Sequence, residues 1–472
     1  MSDIVGFSAT DLAAALRTRR VSAREAVDAI LAKIAVSGHL NAFLTVCATR
    51  AREEALEADA KLKRGEPVGP LHGIPLSVKD LSLTAGVRTT HGSRLYANAV
   101  PDVDAVAVAR ARAAGAILIG KTTTPEFGHK AFTEGPLFGR TLNPWREDVT
   151  CGGSSGGAAV ALAARMGPLA LGTDGGGSIR IPAACCGVVG LKATLGSIPN
   201  LQAPDLFGAT SYVGPMARNV ADVRLLFGAL TGPDERDPFG QARHVDSPPR
   251  PLRVGWLARC GNRLDARVKR VVEAAITSAG LLGMIVEPID IDFVSLEEPF
   301  LVILRANLLA RFEKLTQQER GLLDPTLIAT MEAGRGYTAA DLCQAQYARS
   351  ACFHRVQKLF ERSDIIASPT LSAPPLPVET DSTAHIEIAG RDAGTIRGAW
   401  YPYTFPFNLT GHPALSIPCG LTDDLLPVGL QLVGRWYAED ALLEVAEKIE
   451  DAVGFVAVPP AKSARASSGL WT

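Results

Sequence analysis

Residues 143–199 are crowded with glycine, alanine and serine, and at the centre of this segment residues 173–180 read T-D-G-G-G-S-I-R. Glycine loses more conformational freedom on folding than any other residue. Three in a row therefore indicate that the backbone itself has a task there, either a tight turn or a close approach to another group. We expect this segment to form the compact centre of the fold.

Hydrophobic periodicity predicts helices and strands in alternation along the rest of the chain. Ser22 and Glu25 form a capping box ahead of a helix with apolar residues at helical spacing. Short apolar runs typical of buried strands read "GIPLSVKD", "AILIG", "PLRVGWL", "DIIASPT" and "PVGLQLVG". Alternating elements of this kind favour the α/β class, here one large domain with a central mixed β-sheet and helices on both faces.

Composition narrows the range of partners. The 472 residues include 48 basic and 49 acidic ones, for a net charge of -1, so we expect no nucleic-acid partner. The N-terminus has no basic region followed by an apolar core, and no apolar run reaches membrane-spanning length. The eight cysteines lack a C-x-x-C pair and the histidines lack ligand spacing. We expect a cytoplasmic protein with reduced core thiols, no membrane association, no metal and no cofactor.

Two serine-bearing loops compete for the role of nucleophile. In "CGGSSGG", Gly153, Ser155 and Gly157 match G-x-S-x-G, the turn that carries the nucleophile in α/β-hydrolases. That turn needs a strand directly before it, whereas the polar stretch "NPWREDVT" precedes it here. His412 could serve as its base, although a lone histidine beside proline is more often structural.

The second loop is the glycine run. Acyl transfer develops negative charge on the carbonyl oxygen, and preorganised backbone N–H groups stabilise that charge most effectively. Consecutive amides of Gly175, Gly176, Gly177 and Ser178 could converge on one oxygen, with Ser178 as nucleophile. A plain tight turn or a phosphate-binding nest is the alternative interpretation.

A lysine could supply the base that such a serine needs. Lys79 ends the apolar run "IPLSVK", where burial would disfavour the ammonium form and lower its pKa. A neutral lysine can accept a proton. The alternative is a strand-end lysine that simply pairs with Asp80.

Several longer blocks resemble, in order and spacing, those of the amidase signature family. They read "GIPLSVKD", "NPWREDVTCGGSSGGAAVALAA", "LGTDGGGSIRIPAACCGVVGLK", "GPMARNVAD", "FPFNLTGHPALSIPCGL" and "LPVGLQLVG". The likeness extends over about residues 9–449 and is weakest over residues 240–363. It implies a single amidase domain over residues 1–472, with a catalytic core at about 70–230, a variable substrate-specificity region at about 240–400 and closing core segments at 400–455.

The resemblance also implies a site. Its Ser-Ser-Lys triad falls on Lys79, Ser154 and Ser178, and its oxyanion amides fall on the glycine run and Ser178. By the same resemblance the residues at the end of "TPEF" and after it approach the acyl group, so we expect Phe127, Gly128 and His129 to line the substrate pocket. We also expect Ser155, Asp174 and Arg180 to support the loops by hydrogen bonding, and Trp400, Tyr401 and residues 288–335 to complete the substrate pocket.

Three functions fit this pattern. The first is a free-standing amidase, an amidohydrolase acting on small-molecule carboxamides or on related anilides, carbamates or hydrazides; a homodimer is compatible with it. The second is a glutaminase-type subunit of an amidotransferase. Such subunits usually carry Asp-Gln before the "GP" block, whereas this chain has Tyr212 and Val213. The third is a catalytically silent binding protein, which an intact triad disfavours.

Overall fold

The computed structural model describes residues 4–208, 210–241 and 252–460. Its strands are β1 (Phe43–Val46), β2 (Pro75–Lys79), β3 (Ile117–Thr122), β4 (Glu134–Gly135), β5 (Gly139–Arg140), β6 (Leu169–Asp174), β7 (Val189–Lys192), β8 (Tyr212–Ala217), β9 (Arg253–Trp256), β10 (Ile285–Pro288), β11 (Ile365–Pro369), β12 (His385–Ile388), β13 (Arg391–Thr395), β14 (Ala414–Leu421) and β15 (Pro427–Val433). The α-helices are α1 (Ala9–Arg17), α2 (Ala23–Val36), α3 (Ala48–Lys63), α4 (Val106–Ala113), α5 (Gly156–Ala163), α6 (Arg180–Cys186), α7 (Val220–Leu230), α8 (Ala266–Leu281), α9 (Glu297–Phe312), α10 (Gln317–Arg320), α11 (Pro325–Glu332), α12 (Ala339–Leu359), α13 (Ile396–Trp400), α14 (Pro406–Thr410) and α15 (Glu439–Val453).

Eleven of these strands form one sheet in the order β1-β3-β2-β6-β8-β7-β14-β15-β11-β9-β10. The pairs β2–β3, β2–β6, β9–β10 and β9–β11 are parallel and the remaining pairs are antiparallel, so the sheet is mixed. Helices cover both of its faces, which confirms the predicted fold class. The pairs β4–β5 and β12–β13 are separate two-stranded ribbons.

The small-residue segment forms the most deeply buried part of the molecule. All eight residues of α5 and all seven of α6 are buried. A Cβ on Gly157 would lie 2.3 Å from the Oγ1 of Thr123, so only glycine permits this approach of α5 to the chain that follows β3. The tight packing of α5 fixes the loop that leads into it, including Ser154 and Ser155.

The structure also contains the helix predicted near the N-terminus. Ser22 and Glu25 form the capping box of α2, and the apolar residues of that helix are buried. Helices α9 to α12, which residues 297–359 contribute, were not predicted from the sequence. They place one face of α9 beside the carboxyl end of β6, where Phe300 approaches Gly176.

Several expected absences can be described only for part of the chain. No helix in the described ranges is long and apolar enough to cross a membrane. The same residues contain no group of three or more His, Cys, Asp or Glu side chains arranged to hold a metal ion. The eight cysteines are free thiols, seven of them buried or partly buried.

Asp222 of α7 links the N-terminal helix to the core. Its carboxylate accepts hydrogen bonds from the backbone N–H groups of Ala9 and Thr10 at 2.8 and 2.9 Å. Removing a buried acceptor leaves these donors unsatisfied, at a cost of about 1–3 kcal/mol. We expect Asp222→Ala to lower the urea midpoint of unfolding accordingly. The exposed control Asp102→Ala should leave it unchanged, and equal midpoints for both variants would contradict this role.

Candidate active site

Two parallel neighbouring strands bring the predicted site residues to one edge of the sheet. Strand β2 pairs with β6 in parallel, with Val78 opposite Leu171. Carboxyl ends of parallel strands meet at the same edge, so Lys79 lies beside Thr173 and the glycine run that follows it.

Lys79 is surrounded by hydroxyl groups. Its Nζ lies 2.7 Å from the Oγ of Ser154, 2.9 Å from the Oγ of Ser155 and 2.9 Å from the Oγ1 of Thr173, each within hydrogen-bonding distance. The side chain has no exposed surface. These hydroxyl groups and the carbonyl of Thr173 surround the amine, with no carboxylate of the described residues in hydrogen-bonding contact.

Burial lowers the pKa of Lys79 well below the ordinary 10.5, although the charge of nearby Asp174 opposes that shift. Asp80 is not its ion-pair partner. The Oδ2 of Asp80 accepts from the backbone N–H of Thr90 at 2.9 Å, and its Oδ1 lies 3.8 Å from the Nζ of Lys121. The sequence alternative of a Lys79–Asp80 pair is therefore wrong, because Lys121 occupies that position.

Ser154 and Ser155 come from the loop before α5. The peptide bond between Gly153 and Ser154 is cis, and Ser154 lies in the cavity wall. The hydroxyl of Ser155 donates to the carbonyl of Thr173 at 3.0 Å and accepts from its N–H at 3.2 Å. The backbone N–H of Ser155 donates to the carbonyl of Ser178 at 3.0 Å. Ser155 thus connects the two serine-bearing loops.

Asp174 shapes the glycine turn. Its carboxylate accepts from the backbone N–H of Gly177 at 2.6 Å and of Ile179 at 3.1 Å, and it forms an ion pair with Arg180 at 2.9 Å. Burial by itself would raise the pKa of Asp174, but the Arg180 guanidinium and its hydrogen bonds outweigh that effect and hold the pKa well below its usual range. The carboxylate stays charged and fixes the turn.

Arg180 connects Asp174 by hydrogen bonds to the closing core segments, residues 400–455. It is fully buried and donates to the carbonyl of Thr404 at 2.9 Å, to Gln431 at 2.8 Å and to Asn408 at 2.7 Å. A buried guanidinium with each of these partners satisfied is stable only in this geometry. Asp174 and Arg180 therefore hold the turn against α14 and β15.

The three glycines of the turn are not equivalent. Gly177 has φ +124°, and a Cβ there would lie 2.4 Å from the Oγ1 of Thr404. A Cβ on Gly176 would lie 3.0 Å from the ring of Phe300, whereas one on Gly175 would meet no atom within 4 Å. Only Gly177 is required by backbone conformation.

The backbone N–H groups of the turn also differ in whether they have a hydrogen-bond acceptor. The N–H of Gly177 is bound by Asp174. Over residues 4–208, 210–241 and 252–460, the N–H groups of Gly175, Gly176 and Ser178 have no protein acceptor. Gly175, Gly176 and Ser178 also line the cavity. Four amides were expected to form an oxyanion hole. Three of them thus have no protein acceptor within these ranges and could bind an oxyanion.

The α/β-hydrolase alternative does not fit this geometry. No strand leads into Ser155; the residues before it form only isolated bridges. His412 bonds Thr410 at 2.9 Å and stacks on Phe360, and burial lowers its pKa to about 3. Ser155 is bound to Lys79 and Thr173 instead of to a histidine.

A cavity of about 160 Å³ opens in front of Ser178 and Ser154. Phe127, Gly128, His129 and Tyr401 lie on its wall as expected from the sequence. The expectation for Trp400 is wrong: this side chain is fully buried, and its Nε1 donates to the carbonyls of Ala373 and Pro374 at 3.1 and 3.2 Å.

The sequence did not identify several residues of the cavity wall individually. Phe300, Leu304 and Leu308, spaced four residues apart on one face of α9, form an apolar wall. They fall within residues 288–335, where pocket residues were expected but not individually named. Arg397 also lines the cavity, and a lone arginine belongs to no motif that could have identified it.

The glycine turn yields a matched pair of variants. Gly177→Ala would place a Cβ against Thr404 in a backbone conformation that costs L-residues about 1–2 kcal/mol, so we expect a clear fall in melting temperature. Gly175→Ala should leave the melting temperature unchanged, because its Cβ has open space. Scanning calorimetry measures both, and equal effects of the two substitutions would contradict this distinction.

Comparison with known proteins agrees with this architecture. The chain is 34% identical over 464 residues to an acylamidase of Rhodococcus erythropolis, covering 96% of this chain and 95% of that relative. It is 33% identical over 473 residues to a glutamyl-tRNA(Gln) amidotransferase subunit of Geotalea daltonii, covering 92% of this chain and 95% of that relative.

Solved structures show the same fold. A bacterial aryl acylamidase of the amidase signature family superposes with a TM-score of 0.87 at 28% identity, covering 94% of this chain and 96% of that one. The peptide amidase of Stenotrophomonas maltophilia gives 0.78 at 27% identity, covering 96% and 98%. The model of the Amidase family matches residues 25–443, and the chain therefore belongs to the amidase signature family.

Proposed function

We propose that this amidase hydrolyses the C–N bond of a small-molecule carboxamide through an acyl-enzyme on Ser178, with Lys79 as the base acting through Ser154. Amide hydrolysis as a reaction class follows from the family and from its acylamidase relatives. The triad itself comes from the family resemblance, and the contacts of Lys79 support its role as the base.

The observation that carries the proposal is the environment of Lys79. Its buried Nζ contacts three hydroxyl oxygens and the carbonyl of Thr173 but no carboxylate of the described residues, and burial lowers its pKa, which favours a neutral amine with a lone pair available. Lys79 draws the proton of Ser154, and Ser154 in turn takes the proton of Ser178 as that hydroxyl attacks the carbonyl carbon.

The free amides of the glycine turn stabilise the oxygen that becomes negative during attack. Gly175, Gly176 and Ser178 present their N–H groups to the cavity, and the Asp174 carboxylate holds the turn in place beforehand. Preorganised donors of this kind stabilise the transition state more than the substrate.

Collapse of the tetrahedral intermediate breaks the C–N bond. The proton held on Lys79 returns through Ser154 to the leaving nitrogen, so the amine departs neutral. A water molecule then attacks the ester carbonyl of acyl-Ser178, and its proton passes through Ser154 to Lys79. When the bond between the acyl carbon and the Ser178 oxygen breaks, the same relay returns this proton to the Ser178 oxygen, and the carboxylic acid is released. Lys79 ends the cycle neutral, as it began.

The glutaminase-type subunit is the second candidate, because the chain is also 33% identical to a tRNA amidotransferase component. Tyr212 occupies the position where such subunits carry Asp-Gln. Its hydroxyl donates to the carbonyl of Asn408 at 2.8 Å, and the Nζ of Lys192 lies 3.9 Å from its ring centre. The isolated chain should hydrolyse simple anilides faster than free glutamine; the reverse order would favour the amidotransferase role.

Covalent labelling tests the nucleophile and its base. We expect a fluorophosphonate to add one phosphonyl group to Ser178, detected by intact mass and peptide mapping. Without a base the hydroxyl is a weak nucleophile, so Lys79→Met should slow labelling on the order of a thousandfold.

A matched control separates catalysis from folding. Lys192 is also fully buried, and burial lowers its pKa as well, yet it lies against Tyr212 instead of the serines. A folded Lys192→Met should still be labelled at Ser178. Labelling of Ser155, or undiminished labelling of Lys79→Met, would refute the proposed triad.

The pH dependence follows from the charge state of Lys79. Only the neutral amine is active, so kcat/KM falls as pH drops through its pKa, and burial places that limb well below 10.5. We expect a profile already near its plateau in the weakly alkaline range. Initial rates on a p-nitroanilide measure it; activity retained in Lys79→Arg, which stays charged at every working pH, would disprove the requirement for a neutral amine.

A further inference from the structure

Arg397 of α13 places a positive charge on the wall of the catalytic cavity. The same side chain lines a neighbouring cavity of about 170 Å³, so it stands where the two spaces meet. A Cβ on Gly176 would lie 3.3 Å from a terminal nitrogen of Arg397. The guanidinium therefore lies within a few ångströms of the amides proposed to bind the oxyanion.

Aromatic rings flank Arg397, and no carboxylate among the described residues forms an ion pair with it. Its Cζ lies 4.5 Å from the ring centre of Phe300 and 5.3 Å from that of Tyr401. Within the part of the chain that the structure describes, Arg397 forms no ion pair and no hydrogen bond. Stacked on two rings, its N–H groups are oriented but unused.

The acidic groups nearby are already engaged. Glu297 accepts a hydrogen bond from the hydroxyl of Thr395. Asp324 pairs with Lys130, the other cationic residue of the cavity wall, at 3.0 Å. No aspartate or glutamate lines the catalytic cavity itself among the described residues. Glu297 also lines the adjoining cavity with Arg397 but forms no ion pair with it within the described residues, so Arg397 stands on the catalytic cavity wall without a directly paired carboxylate.

We propose that Arg397 binds a carboxylate on the acyl part of the substrate, so that the preferred substrates are monoamides of short dicarboxylic acids. This inference rests on the proposed function and specifies the substrate class of the same site. Guanidinium groups bind carboxylates through two parallel N–H···O bonds, and desolvation in a cavity strengthens that contact.

The position of Arg397 assigns the carboxylate to the acyl part. The leaving nitrogen must face Ser154, which returns its proton, and a Cβ on Gly128 would lie 3.0 Å from the Oγ of Ser154. In the proposed binding mode the leaving group therefore lies toward Gly128, which differs from the expectation, drawn from the family resemblance, that residues 127–129 approach the acyl group. Arg397 lies beside Gly176, within reach of an acyl chain that follows the apolar wall of α9.

Paired chromogenic substrates test this. The p-nitroanilides of succinic, glutaric and adipic acid carry a terminal carboxylate, and those of butanoic, pentanoic and hexanoic acid are their neutral analogues. We expect the wild type to favour the anionic member of at least one pair. In Arg397→Gln the ratio of kcat/KM, anionic over neutral, should fall about 10- to 100-fold, as expected for a lost charged hydrogen bond. Arg397→Lys, which keeps the positive charge, should retain part of the preference for the anionic substrate.

Arg391→Gln removes an equal charge from an exposed position and should leave the ratio unchanged. A ratio that does not change in Arg397→Gln, or a wild type that favours every neutral analogue, would overturn the inference and leave amide hydrolysis intact; Arg397 would then be a packing residue only.

Binding to Ser178→Ala separates the inference from the proposed function. Calorimetry should show the mono-p-nitroanilide of glutaric acid binding to Ser178→Ala and not to the double variant with Arg397→Gln. If the wild type hydrolyses none of the six anilides but this binding difference persists, the proposed function fails and the carboxylate site stands. Equal binding to both variants overturns the site.

Discussion

The hydrogen bonds of Lys79 with Ser154, Ser155 and Thr173 join the three segments from which the site is built. An ammonium group without a carboxylate partner is costly in the interior, and such a group loses its proton instead. The fold surrounds the Lys79 amine with hydroxyl oxygens and the carbonyl of Thr173, which suits the neutral form that we propose. Strand β2, the loop before α5 and the end of β6 therefore have to meet with little freedom in their spacing.

A second buried hydrogen-bond network fixes the position of the glycine turn relative to Lys79 and its hydroxyl partners. Asp174 binds two amides of the turn, and Arg180 connects Asp174 to Asn408 and Gln431 in the closing segments. These residues come from distant parts of the chain, so the turn acquires its geometry only when the sheet is complete. The same carboxylate occupies the Gly177 amide, while the amides of Gly175, Gly176 and Ser178, which line the cavity, have no acceptor among the described residues.

The sequence predicted the part of the site that depends on backbone and motif. Lys79 ends a short apolar run, and the order of the serine blocks identified the family. The sequence did not indicate which of two neighbouring aromatic residues faces the cavity: at the end of α13 Trp400 turns into the core and Tyr401 toward the pocket. Arg397 was missed because its significance depends on tertiary structure: the ring of Phe300 comes from a distant part of the chain, and only the fold shows that no aspartate or glutamate lines the same cavity among the described residues.

Helix α9 is another element whose role the sequence could not predict. Phe300, Leu304 and Leu308 have helical spacing, but periodicity cannot tell a face that packs on the core from one that lines a cavity. Likewise the three glycines read alike in the sequence, whereas only Gly177 has a backbone conformation that requires glycine. Tertiary contacts decide both cases.

The charge state of Lys79 is the central claim, and NMR titration of protein labelled with 13Cε-lysine measures it directly, with Lys79→Arg to assign the resonance. We predict that the Lys79 signal titrates well below 10.5, so that it is the signal of a neutral amine while the surface lysines are still ammonium groups. A signal that stays in the ammonium position up to the pH at which surface lysines titrate would contradict it.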